Sequence, residues 1–531
     1  MRKIYQLVII VAVSLIAVLS TSAQQTRVVT ISGWDPASGE PSDNYLDVVY
    51  DAIMADTTER KSNPNVIYEL KRGHLYPQGK IIENYDYHLH IRAEEGEGLL
   101  PEFIVGKKPD GTYGNDYIKA RNDMTIQNIS FSGYRPDGAY LNRMVELRGH
   151  KSRVVIEGCV YDGDRGAGIA LLADSLKVYV KDVKVLNTGH RKVTGGNGRL
   201  IDFRPQALYV DTLVIVNTTL TNASDRVIRN MGTEVNYLEI DHLTALNTVG
   251  YHGAVQLGFV HTAKVTNSLF ANTISWGHSE WRIQEQTQPV KHFAVITIDT
   301  VFDGQVLEVR NNNVYWDQEL VDVWAKYDSV SQPWLITPTI ETALGSAAGD
   351  AVFTEVLTLT TSCGPISDYV DAFYANPSAT EFPENWCVGG EGGYFYDQVD
   401  LSYPSESASY TAADDGYPVG DLNYFPELKA AWEETITGIE SVEIDPVNGL
   451  MNYPNPFSKS TIISYELESP ADVKLDVYSI TGRKVKSLLN EFQNVGLHEV
   501  TFTSDAMPDG VYFYKLDTGS SVSVGKMILN R

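Results

Sequence analysis

The sequence predicts an all-β fold: a parallel β-helix with an N-terminal capping helix, followed by a small C-terminal Ig-like β-sandwich. Three observations predict it. A short strand-like segment recurs along the first part of the chain. The recurrence lacks the 3.6-residue period of helical repeats. The C-terminal end changes to short alternating strands separated by turn residues.

The recurring segments begin at Ile126 (IQNISFSG), Ile156 (IEGCVYDG), Val180 (VKDVKVLN), Ile215 (IVNTTLTN), Ile240 (IDHLTALN) and Val265 (VTNSLFAN). Each opens on a β-branched residue, most carry Asn, Asp or Gly third, and the eighth is always Asn or Gly. Their starts are 30, 24, 35, 25 and 25 residues apart, one turn of a β-helix with loops inserted in the longer gaps. A short apolar strand cannot bury a face alone, whereas stacked turns bury a continuous column. Asn and Gly suit the corners because they tolerate left-handed backbone, and Asn side chains can hydrogen-bond from rung to rung. The Asn-Xaa-Ser/Thr triplets at Asn128, Asn217 and Asn222 belong to these corners.

The N-terminal elements fit that architecture. Arg2 and Lys3 precede an apolar run from Leu7 to Leu19, and Thr21-Ser22-Ala23 offers a small-residue cleavage site. This is the pattern of an export signal over residues 1–23. The run holds about 13 residues against the roughly 20 of a membrane span, so no span is expected after cleavage. Tyr45 to Met54 reads as an amphipathic helix with Leu46, Val49, Ile53 and Met54 on one side, suited to plug the open end of the column. Strand-like NVIYELKRGHLY and YDYHLHIRAEEG follow.

On that cap, the IYELKRGHLY segment and the rungs, residues from about 43 resemble the pectate-lyase-like superfamily of right-handed β-helices. The resemblance implies a right-handed solenoid over 24–305, with distal rungs and an irregular cap over 306–436. DDGYPVGDLNYFPEL is expected in that distal cap, and 437–450 reads as a linker.

In 451–531, the strands TIISYEL, VKLDVYSI, HEVTFTS, GVYFYKLD and VGKMILN alternate with turns at Thr481-Gly482, Asp509-Gly510 and Thr518-Gly519. The run Asn452-Tyr453-Pro454-Asn455-Pro456-Phe457, then Tyr478, Gly482-Arg483, Gly510-Val511-Tyr512 and Lys526-Met527, resembles the type A sorting domain of the type IX secretion system. The resemblance implies that the secretion machinery is a partner. It also implies a secreted or outer-membrane location in a Bacteroidota-like bacterium, with removal of this domain.

The formal charge of −26 argues against nucleic acid as a partner. Cys363 and Cys387 lie close together in an irregular region of an exported chain, where a disulfide is expected, and Cys159 falls inside a rung as a packing residue.

A second set of strands lies between the repeats: MVELRG (144–149), GIALLA (168–173), RLIDFRP (199–205), RVIRNM (226–231) and GAVQLG (253–258). Alternation turns Val145, Leu147, Ile201, Phe203, Val255 and Leu257 inward and leaves an outward comb of Glu146, Arg148, Asp202, Arg204 and Gln256. Arg226 and Arg229 lie nearby in a rung of unassigned register, and the Gly-rich loop TGHRKVTGGNGR adds His190, Arg191 and Lys192. A local basic cluster on an acidic protein suits an acidic extracellular polysaccharide.

The chemistry that cluster suggests is uronate β-elimination, which needs a carboxylate neutraliser and a base. Arg204, Arg229 and Lys192 are the catalytic candidates, and Glu146, Arg148, Asp202, Arg226 and Gln256 the substrate-binding ones. Calcium is a conditional cofactor, with Asp202, Glu146 or Asp241 as its ligands. Two other readings stand beside this one: a ladder of cross-rung salt bridges, and a non-catalytic glycan-binding, adhesin or structural surface protein. Ile240-Asp241-His242 is similar to a step in pectate lyases, but His242 occupies the Asn corner position of the repeat. The paired-aspartate, Gly-His-Gly and Arg-Ile-Lys pattern of polygalacturonases is missing from the sequence, which disfavours inverting hydrolysis.

Overall fold

The computed structural model describes residues 26–529 apart from short internal stretches, the longest being 190–196, 280–293, 383–398 and 438–449. The chain divides into two units, Met1–Leu428 and Lys429–Arg531.

The first unit is built from three parallel ladders, and each sequence repeat contributes one strand to each. The first ladder passes through Val66–Leu70, Leu89–Ala93, Met124–Gln127, Arg153–Glu157 and Leu176–Lys181, and continues to Val306–Arg310. The second runs from Leu75–Gln78 through Ser130–Ser132, Val160–Asp162 and Lys184–Thr188 to Asn312–Tyr315. Tyr209–Ala223 and Glu234–Thr248 each serve both ladders, which joins them into one 18-stranded sheet. The third ladder is a 9-stranded sheet from Ile82–Asn84 through Leu141–Leu147, Asp164–Leu171, Arg199–Phe203 and Arg226–Arg229 to Trp334–Ile336.

The repeat explains this stacking residue by residue. Its first position stacks Ile126, Ile156, Val180, Ile215, Ile240 and Val265 in direct register, all buried. Its sixth position stacks Phe131 on Tyr161 with ring centroids 5.1 Å apart, close to the ladder spacing of roughly 4.8 Å. The third position turns the corner between ladders with positive φ at Asn128, Gly158, Asp182, Asn217, His242 and Asn267. The eighth does the same at Gly163, Asn187, Asn222, Asn247 and Asn272. The corner amides bond between rungs: Asn222 Nδ2 donates to Asn187 Oδ1 at 3.1 Å, and Asn311 Nδ2 to Asn267 Oδ1 at 3.2 Å.

The expected N-terminal helix is present as Val48–Ala55, with Val49 and Ile53 buried against the column and a 3-10 turn at Asp43–Tyr45 before it. A strand that the pattern did not announce, Arg27–Ile31, precedes the helix and pairs with Val66–Leu70 as an extra rung. Its burial alternates on one short face only, too little signal for a sequence reading. At the other end, helices Gln318–Ala325 and Ile366–Ala375 bring Trp324 against Trp316 and Phe373 against Trp276, the latter pair stacked at 4.6 Å.

The segment expected in the distal cap takes another course. Residues 409–425 run back along the flank of the column. Ser409 Oγ accepts from Asn313 Nδ2, Gly420 O meets His242 Nδ1 at 3.0 Å, Asp421 accepts from Thr219 Oγ1 at 2.7 Å, and Asn423 Nδ2 donates to Asn217 O at 3.0 Å. The polar corner residues need partners once buried, and this strap supplies them.

Cys159 is a buried free thiol, pushed up to about 12 by burial. Cys363 is disulfide-bonded, and Cys387 lies outside the described residues. The linker 437–450 is described only at its ends, where the helix Pro426–Thr437 closes and Met451–Tyr453 opens. The second unit holds a three-stranded and a four-stranded antiparallel sheet around a core that includes Ile463, Tyr465, Leu475, Val477, Phe502 and Leu516.

Candidate functional site

The third ladder aligns the candidate residues in one column. Glu83 lies beside Lys119, Lys119 beside Glu146, Glu146 beside Ala170, Ala170 beside Asp202, and Asp202 beside Arg229. Ile228 pairs with Val255, so Gln256 continues the column after Arg229. The register that the sequence left open is thereby assigned. Arg229 belongs to the outward column, whereas Arg226, three residues earlier, pairs with Arg199.

The comb is far less open than alternation alone suggests. Glu146 and Asp202 are each only 1 % exposed. Both acid-apolar-Arg patterns close into ion pairs within their own strands. Arg148 Nε donates to Glu146 at 2.7 Å, with Arg143 on the other carboxylate oxygen, and Arg204 Nη1 reaches Asp202 at 3.4 Å. Asp202 is shared further: Arg229 binds it through two nitrogens at 2.6 and 3.0 Å, and Arg199 Nη1 stands at 3.4 Å. Carboxylates so covered accept hydrogen bonds from guanidinium groups instead of sitting free on a solvated sheet.

Beneath this outer layer is a second one, in which the sequence reading named Arg226, as a substrate-binding candidate, but neither Arg199 nor Asp225; Arg226 is buried there. Arg199 and Arg226, almost fully buried, both bind Asp225 at 2.7 Å through their Nε atoms. Burial would raise the Asp225 carboxyl, but Arg226 and Arg199 outweigh it and hold it below the ordinary range. His252 stands nearby, pushed down to about 3 by burial and by Arg226, so its ring is neutral at neutral pH. Burial, reinforced by Arg199, also lowers Arg229 from its ordinary value against the pull of Asp202. The available signal was parity: Arg199 stands two residues before inward Ile201, and Arg226 two before Ile228, so both occupy positions where an apolar side chain is expected.

The remaining candidates fall elsewhere. Lys192, with His190 and Arg191, lies outside the described residues. Asp241 is on the first ladder, where it accepts from Thr266 Oγ1 and Asn267 Nδ2 at 2.8 Å each, away from Asp202 and Glu146. His242 turns a corner with φ of 52° and bonds to Gly420, the structural position that the repeat assigns it. Among the described residues, no group of three or more His, Cys, Asp or Glu is arranged to hold a metal ion. Glu146 and Asp202 do not fit calcium, because guanidinium groups occupy their oxygens and the ion needs about six to eight oxygen ligands.

Comparison with known proteins bears on the other end of the chain. Residues 452–530 match the family described as secretion system C-terminal sorting domain. The second unit is a sorting domain. With it, the protein is a secreted or outer-membrane surface protein exported by type IX secretion, and the sorting domain implies interaction with that machinery. No curated protein and no solved structure matches the chain. Among the described residues no helix is long and apolar enough to cross a membrane.

Proposed function

We propose that this exported protein binds an acidic extracellular polysaccharide along its third ladder. One observation carries the reading. Three arginines share the single carboxylate of Asp202, and the outer two, Arg204 and Arg229, retain partial exposure while Arg199 beneath them is buried. Arg226 joins Arg199 at Asp225, so the described cluster holds four arginines against two carboxylates in a chain of net charge −26. Local positive charge on an otherwise acidic surface favours an anionic ligand at that place. A ladder gives those charges a regular spacing that matches a polymer better than a small molecule. We also infer that the ladders close into a right-handed, pectate-lyase-like solenoid, because parallel crossovers of this kind are right-handed in about 98 % of cases.

A second reading, β-elimination, is supported by the depressed pKa of Arg229. In it Arg204 neutralises the uronate carboxylate, and Arg229, having first released a proton to solvent to become a neutral guanidine, takes the proton from the adjacent carbon. The carbon–oxygen bond to the leaving sugar then breaks, a carbon–carbon double bond forms, and solvent protonates the departing oxygen. Lys192 remains a third candidate for this chemistry.

Both readings are tested on the full chain with pectic, alginate, ulvan and glycosaminoglycan polymers, with calcium and with chelator. Retardation in an affinity gel reports binding, and ultraviolet absorbance reports unsaturated uronate ends. The expected result is retardation by an acidic polymer, weakened by Arg204→Ala and Arg229→Ala, with no rise in absorbance. A rise that Arg229→Ala abolishes would instead establish the lyase. If no acidic polymer retards the protein, the binding reading fails.

A further inference from the structure

A cleft of about 330 Å³ opens at the N-terminal end of the first unit, between the capping helix and the first strand of the third ladder. Its lining includes Tyr50, Arg60, Lys61, Glu83, Tyr85 and Tyr87. Each tyrosine carries a cation on its ring: Lys80 over Tyr50 at 4.8 Å, Arg121 over Tyr85 at 4.9 Å and Arg60 over Tyr87 at 5.1 Å.

Tyr85 stands out among them. It is 65 % exposed, yet its hydroxyl is held by Glu83 Oε2 at 2.8 Å and its ring by Arg121, which also pairs with Glu83. A large ring that is both exposed and immobilised has already lost the freedom that binding would otherwise remove. Around it stand hydrogen-bonding groups of both signs. Lys61 and Asp86 form an exposed pair at 2.5 Å. An aromatic platform beside an ion pair suits a ligand with one C–H face and several hydroxyls, which is a sugar ring.

The cleft also lies on the line of the arginine cluster. Glu83 heads the column that continues through Lys119, Glu146 and Ala170 to Asp202. Four strand steps separate Glu83 from Asp202, roughly 19 Å at the usual ladder spacing. We propose that the cleft is a terminal sugar subsite, with Tyr85 as its stacking platform, for the same polysaccharide chain that the third ladder binds. The inference rests on the polysaccharide reading above and adds where one end of the polymer is held.

The test is affinity-gel retardation of the full chain by the polymers named above, comparing wild type, Tyr85→Ala, Tyr85→Phe and Arg229→Gln. Tyr85→Ala should weaken retardation by about tenfold in apparent Kd, the upper range for one aromatic contact. Tyr85→Phe, which keeps the ring but not its bond to Glu83, should lose less than Tyr85→Ala, and a wild-type thermal midpoint for Tyr85→Ala excludes a folding defect as the cause. Loss of retardation in Arg229→Gln but not in Tyr85→Ala overturns the subsite and leaves the ladder reading standing. Weakening in both Tyr85→Ala and Arg229→Gln is the expected result, whereas loss in Tyr85→Ala alone would leave a sugar site in the cleft but overturn the ladder reading and with it the shared chain. No change in either variant, or no retardation of wild type, overturns both.

Discussion

Asp202 and Asp225 show how a β-ladder tolerates buried charge. Each carboxylate sits between guanidinium groups of its own rung and of a neighbouring one: Asp202 between Arg204 and Arg229, and Asp225 between Arg226 and Arg199. Asp164, one rung earlier at the start of Asp164–Leu171, is balanced differently. Burial pushes its carboxyl up to about 7, against the pull of Thr188 and Arg199. Its unfolded value is about 3.9, so between pH 4 and 7 the folded state binds more protons than the unfolded state. Stability from this group is therefore full below about pH 4 and lost as pH rises through about 7. Glu102 and Asp162, raised by burial to about 7 and about 6, act with the same sign, whereas His252 acts with the opposite sign below its usual value. Asp164→Asn should thus match wild type in Tm near pH 4 and exceed it at pH 8. An equal difference at both pH values would show that the carboxyl does not titrate in this window.

The corner residues belong to the scale of the element. Asn272 adopts a φ of 52°, donates to Asn247 Oδ1 at 3.3 Å and to Asp317 Oδ2 at 2.7 Å, and accepts from the Asp317 amide. An Ala side chain carries a left-handed penalty of about 1–2 kcal/mol. The unsatisfied partners add about 1–3 kcal/mol. Asn272→Ala should therefore lower the thermal midpoint clearly, and Asn272→Gly should recover the backbone part but not the hydrogen-bond part. Equal midpoints for the two variants would show that left-handed backbone is not what selects Asn here. This element was largely legible beforehand, since the third and eighth positions of the repeat mark the corners directly. The strap at 409–425 was not, because its partners Asn217, His242 and Asn313 are between roughly one and two hundred residues away in the chain and no local pattern announces them.

At the scale of the whole molecule, a parallel strand ladder is joined in one chain to a domain that directs export. Deleting 452–530 should keep the protein inside the outer membrane of a bacterium with type IX secretion, and the same residues fused to a periplasmic reporter should bring the reporter to the surface. Cell fractionation reads both. A deleted chain that still reaches the surface would show that the match at 452–530 does not act as the export signal.

The sequence by itself determined the stacked strands, their corners, the capping helix and the sorting domain. Each is written in local periodicity or in a short contiguous motif, and local backbone preferences act over those same distances. It also brought Glu146, Asp202 and Arg204 into view as one strand family. Only the tertiary structure decided what those residues face. Arg229 joins the outward column while Arg226 turns toward Asp225, because the register between rungs is set by packing across ladders. The tyrosine cleft likewise depends on the capping helix and the first strand of the third ladder coming together. Burial, charge pairing and pKa arise from neighbours distant in sequence, and those neighbours are chosen only when the chain stacks.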